Sequence, residues 1–91
     1  MYVITCYKVT FKNSYKKRIR NRSLLKKKFW DALELFSHNP FDSSLKTHKL
    51  TGKLNGLWAF SVAADCRVVF KFYDENKTAL LIDIGSHDEV Y

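Results

Sequence analysis

Two histidines, an arginine and two lysines supply the residue types that phosphodiester cleavage without a metal requires: His48, His87, Arg67, Lys49 and Lys53. RNA carries its own nucleophile, the ribose 2′-hydroxyl. An enzyme acting on it need add only a base for that hydroxyl, an acid for the departing 5′-oxygen, and cations for the charge gathering around phosphorus. Each residue has a plainer role open to it. His87 fits a turn hydrogen-bonded to the backbone, and His48 a loop. Arg67 can pair with Asp83 on a neighbouring strand, while Lys49 and Lys53 can simply be solvated. His38 follows a helical run, where a partly charged imidazole is favoured by the macrodipole. Other chemistry is not signalled. The chain has no glycine-rich nucleotide loop, no H-E-x-x-H pair and no nucleophile elbow. Its three His and two Cys are too scattered to suggest a metal site, so neither metal nor cofactor is expected.

The elements that must position these groups lie mostly in the second half. Three β-patterned runs, residues 58–62, 67–73 and 79–85, are separated by connections short enough for hairpins. In the middle run Val68, Phe70 and Phe72 share one face, with Arg67, Val69, Lys71 and Tyr73 opposite. The third run sets Leu80, Ile82 and Ile84 against Ala79, Leu81 and Asp83. One side of this meander must be buried, and the other carries charge. His87 follows Gly85, just past the end of the third run.

The first half reads as a strand over residues 2–9 and then two helices. The strand is apolar on both sides, which predicts a covered, central position. Thr10 is a candidate cap for a helix with Phe11, Tyr15 and Ile19 on one stripe, and Ser23 for a second helix over residues 24–37. The second stripe is Leu25, Phe29, Ala32, Leu33 and Phe36, stopped by His38, Asn39 and Pro40. From Pro40 to Gly56 the chain reads as a long loop that delivers His48, Lys49 and Lys53 to the edge of the sheet. The order is therefore β-α-α-β-β-β. It predicts an α+β fold in which a helical pair packs on one face of a mostly antiparallel four-stranded sheet, the opposite face partly open. Residues 1–91 are short for more than one domain, and no linker is visible.

Charge is unevenly spread. The net value is +7, and residues 8–28 hold ten of the sixteen basic residues and no acid. Such a block attracts a polyanion or an acidic protein segment. Lys16, Lys17, Arg20, Lys26 and Lys27 are its candidate phosphate contacts, alongside Lys49 and Lys53. Lys26 to Lys28 stand near a helix start, where the macrodipole disfavours cations, so a bound polyanion explains their retention better than a solvated face does. No run is long enough for a membrane span and no secretory leader is visible, which predicts a cytoplasmic protein with no membrane partner. In that compartment Cys6 and Cys66 read as buried thiols rather than a disulfide.

Three stretches, taken together, resemble a known family. They are His48-Lys49-Leu50-x-Gly52-x-Leu54-x-Gly56-x-Trp58-x-Phe60-x-Val62, Asp65-x-Arg67-Val68-Val69-Phe70, and Ile82-x-Ile84-Gly85-x-His87-Asp88-Glu89-Val90-Tyr91. They resemble RelE/ParE-superfamily toxins of type II toxin–antitoxin systems, and most closely the YafQ branch. The resemblance implies a RelE-like fold and metal-independent cleavage of mRNA, usually on the ribosome. It also implies a cognate antitoxin, with the free toxin a monomer and the complex a hetero-oligomer. By position His87 matches the family's general acid, His48 the histidine opening the H-x-L-x-G segment, and Arg67 the phosphate-binding arginine. Asp65 matches an acidic residue before the next strand, and Tyr91 a C-terminal aromatic near the site. Ser61 stands where YafQ has another histidine, which leaves the base between His48, the first candidate, and Asp65. Two other readings stay open. ParE members share the fold and poison DNA gyrase, and a plain RNA-binding module could use the same basic helices.

Overall fold

A computed structural model describes residues 3–86. The strands are β1 (Ile4–Tyr7), β2 (His48–Lys49), β3 (Trp58–Ala63), β4 (Cys66–Tyr73) and β5 (Thr78–Gly85). The helices α1 (Val9–Arg18) and α2 (Ser23–His38) come between β1 and β2. The sheet order is β1-β5-β4-β3-β2, with β1 parallel to β5 and every other pair antiparallel. This is the expected α+β arrangement with five strands in place of four. The added strand, β2, is only two residues long, too short to show an alternating pattern in the sequence. It pairs His48 with Ala59 and Lys49 with Trp58.

The first strand is a second correction. It lies at an edge, not the centre, and Ile4 and Tyr7 are 63% and 62% exposed. A lack of polar residues shows that a strand avoids charge; it does not show that both faces are covered. Cys6 is accordingly exposed, while Cys66 is buried as expected.

The helical periodicity translates directly into packing. Phe11 and Ile19 of the first stripe, with Phe29 and Phe36 of the second, are buried against Phe60, Val68, Phe70, Ala79, Leu81 and Ile84. Phe36 lies at the middle, its ring 4.6 Å from that of Phe60 and 4.8 Å from that of Phe70. The caps differ from expectation. Lys8 and Arg22 occupy the two N-cap positions, and neither makes a side-chain cap bond. Thr10 lies inside α1, its hydroxyl donating instead to the Ile82 carbonyl at 2.6 Å. Tertiary pairing to β5 has thus taken the hydroxyl that would otherwise cap the helix.

In β4 the predicted alternation holds, since Val68 and Phe70 are fully buried toward the helices. In β5 it holds for only part of the strand. Phe72 pairs with Ala79, Phe70 with Leu81 and Val68 with Ile84, and the register shifts between Phe70 and Val69. Ile82 is the extra residue of this bulge. It moves Ala79, Leu81 and Ile84 onto the helix face together and sends Ile82 to the other side. There a small cluster of Leu50, Ala59 and Val69 forms, with Leu54, Leu57 and Ile82 packed against it. The part of the loop after Leu50 thus folds over the face predicted to be partly open. Gly52 (φ 68°) and Gly56 (φ 93°) let it do so, through a backbone conformation that side chains disfavour.

Candidate functional site

Directly paired residues of antiparallel strands point to the same side, as do residues two apart on one strand. His48 pairs with Ala59, Ala59 with Val69, Ser61 with Arg67, and Arg67 with Gly85. Hence His48, Ser61 and Arg67 share the surface turned away from the helices, and the chain leaves β5 beside Arg67. The register answers one plain reading of Arg67. Asp83 lies opposite Val69, not Arg67, and its carboxylate accepts from the Ser14 hydroxyl and the Ile84 amide.

His48 is half-buried, and its Nδ1 is 2.8 Å from the Lys46 carbonyl oxygen. A carbonyl can only accept, so Nδ1 donates the proton and Nε2 is the basic nitrogen of the neutral ring. Arg67 is half-buried, and its Nη1 donates to the Ala64 carbonyl at 3.4 Å. It lines a cleft of about 340 Å³ with Ser44, Lys46 and Ser61. Lys46 therefore joins the two halves of the site, bonding His48 by its backbone and bordering the Arg67 cleft. Its left-handed backbone (φ 51°) closes a 3-10 turn over Ser43–Leu45.

The other candidates are dispersed. Lys49 alternates to the opposite side from His48, and its ammonium stands 5.4 Å from the Trp58 ring centroid, a cation–π contact. Lys53 is exposed in the short turn Gly52–Leu54. Asp65, exposed in the β3–β4 turn, borders a separate cleft with Lys17, Arg18, Arg22 and Gly85. Lys16, Lys17, Arg20, Lys26 and Lys27 are all exposed, in or beside the two helices. Of these, Lys27 bonds Asp31 at 2.8 Å, which raises its pKa and offsets its charge. His87 and Tyr91 lie outside the described residues.

Lys46 is the site residue that reading the sequence missed. The signal was Asp42-Ser43-Ser44, a composition typical of a side-chain-capped turn. Cys66 also borders the Asp65 cleft. Burial pushes its thiol up, against a smaller downward pull from Arg18. Among the described residues no group of three or more His, Cys, Asp or Glu could hold a metal ion.

Residues 4–91 match the family model of the bacterial toxin of type II toxin–antitoxin systems, YafQ. The chain belongs to the YafQ toxin family. None of the curated proteins matches it in sequence. Solved structures share the fold at low identity. The YoeB/ParE toxin from Agrobacterium tumefaciens has a TM-score of 0.76 and 19% identity, over 93% of this chain and 99% of its own. YafQ from E. coli strain BL21(DE3) gives 0.73 and 19%, over 98% of each chain. A chain of the E. coli DinJ-YafQ toxin-antitoxin complex gives 0.71 and 19%, over 100% of this chain and 99% of that one. Two helices on a mixed, mostly antiparallel five-stranded sheet are thus a RelE-like fold, and this YafQ-family toxin carries His48 and Arg67 on its far face. No described helix is long and apolar enough to cross a membrane.

Proposed function

We propose that this YafQ-family toxin is a metal-independent endoribonuclease that cleaves mRNA on the ribosome in the cytoplasm. The observation that carries the reading is the pairing of a basic His48 Nε2, set by the Lys46 carbonyl, with the Arg67 guanidinium on one sheet face. His48 takes the proton of the 2′-hydroxyl as its oxygen attacks phosphorus. Arg67 meets the charge on the non-bridging oxygens. The bond from phosphorus to the 5′-oxygen breaks, and His87 returns a proton to that oxygen. The products are a 2′,3′-cyclic phosphate and a 5′-hydroxyl. Asp65 is the second candidate for the base and Tyr91 for a contact at the reacting phosphate. Lys53 flanks the substrate strand, and Lys49, on the opposite side of the sheet from His48, joins Lys16, Lys17, Arg20, Lys26 and Lys27 in holding ribosomal RNA by its phosphates.

The family relation and the DinJ-YafQ complex support a cognate antitoxin, which an acidic segment would suit given the +7 charge. The free toxin is then a monomer and the complex a hetero-oligomer. The test is single-turnover cleavage of mRNA on programmed ribosomes, with ribosome binding assayed separately. His48→Gln and His87→Gln should each slow cleavage by about 10²–10⁴-fold and leave binding nearly intact. Wild-type protein that inhibits gyrase without cutting RNA, or binds RNA without cutting it, would overturn the nuclease reading.

A further inference from the structure

In solution a neutral histidine side chain favours the tautomer with its proton on Nε2. His48 has the other one, because Nδ1 faces the Lys46 carbonyl at 2.8 Å. That carbonyl is itself held from two sides. Asp42 Oδ1 accepts from the Ser44 amide at 3.0 Å and from its hydroxyl at 2.7 Å, which caps the 3-10 turn ending at Lys46. Leu45 in that turn is buried in the main core, so the turn is anchored as well as capped. After Lys46, the Thr47 hydroxyl donates to the Pro40 carbonyl at 2.5 Å and ties the far end of the loop to its beginning. Lys46, left-handed between these two anchors, has little freedom to turn its carbonyl away.

We propose that residues 40–47 form a clamp that fixes the tautomer of His48, with Asp42 and Thr47 as positioning residues acting through the Lys46 carbonyl. The proposal rests on His48 being the general base, and it states what makes that base competent. If the clamp loosens, the proton moves to Nε2 in most molecules, and the lone pair that would accept the 2′-hydroxyl proton is lost. Neither Asp42 nor Thr47 touches the RNA; each matters by keeping Lys46 in place.

The experiment is long-range ¹H–¹⁵N correlation NMR on full-length protein labelled at histidine, above the titration range of the ring. Wild-type protein should show the Nδ1–H pattern for His48. Asp42→Ala and Thr47→Val should shift it toward Nε2–H, with the fold retained by circular dichroism. In the same variants single-turnover cleavage should fall about tenfold with ribosome binding unchanged, and Ser44→Ala, which leaves one of the two bonds to Asp42, should fall between. An Nε2–H pattern in wild type overturns the clamp, as does an unchanged Nδ1–H pattern in folded Thr47→Val. Should wild-type protein fail to cleave RNA while the tautomer shifts as described, the clamp stands and the nuclease reading fails.

Discussion

The two faces of the sheet are built on different terms. Toward the helices, large rings interlock: Phe36 touches Phe60, Phe70 and Phe72, and Phe29 touches Phe11 and Tyr15. Away from them, the buried apolar side chains among the described residues are few and carry no rings, Ala59, Val69 and Leu50, and half-buried His48 and Arg67 share that face. The first face holds the domain together. The second is a shallower layer whose side chains should be exchanged at lower cost in stability, which is what a site carried on a rigid scaffold needs.

The contrast is open to direct attack. The largest effect should come from Phe36→Ala, which empties the centre of the ring cluster and should cost about 3–5 kcal/mol. In a protein of this size that is a large part of the total, and urea denaturation should show it as a collapse of the midpoint. Arg67→Ala should invert the pattern. Cleavage should drop by about 10²–10³-fold, the usual loss when one charge-stabilising donor is removed, with a urea midpoint close to wild type. A folded, fully active Arg67→Ala protein would remove Arg67 from the site. Relief of growth arrest by an unfolded variant would report stability and nothing else.

Val69→Ala should be milder, about 1–2 kcal/mol, since it removes two methyl groups from the smaller cluster. A loss as large as that of Phe36→Ala would mean that the two faces share the load equally. The smallest effect concerns the thiols. Cys6 is exposed and Cys66 buried, so iodoacetamide at mild alkaline pH should alkylate Cys6 first and Cys66 about tenfold or more slowly. Because burial raises the Cys66 pKa, its protonated form favours the fold. That contribution is intact below the unfolded thiol's pKa and lost as pH climbs through the higher folded value. Cys66→Ala should therefore lose less stability than wild type does at strongly alkaline pH.

What the sequence could show follows the same division. The helical stripes through Phe11, Phe29 and Phe36 were legible, because burial against one large core demands a strict 3.6-residue period. So was the strand Cys66–Tyr73, whose charged and apolar faces differ sharply. The far face was harder to read. Two residues of β2 carry no period, and the bulge at Ile82 shifts the phase within an unbroken apolar run. The candidate residues could be picked out by type, and their placement in the fold could not. His48 and Arg67 share a face from two strands that flank β3, and a main-chain acceptor at Lys46 leaves no trace in side-chain chemistry.

The pairing of β1 with β5 carries one more consequence, for the order of events in folding. Cys6 bonds the Ala79 carbonyl across 73 residues of sequence, and among the described residues β1 has no other neighbour in the sheet. The helices and the β3–β4 hairpin are local in sequence, whereas β1 must wait for β5, the last of the described strands, so the parallel pair is expected to close late. The same late strand brings Gly85 to Arg67. Closure of the sheet and assembly of the candidate site around Arg67 are thus expected to come together.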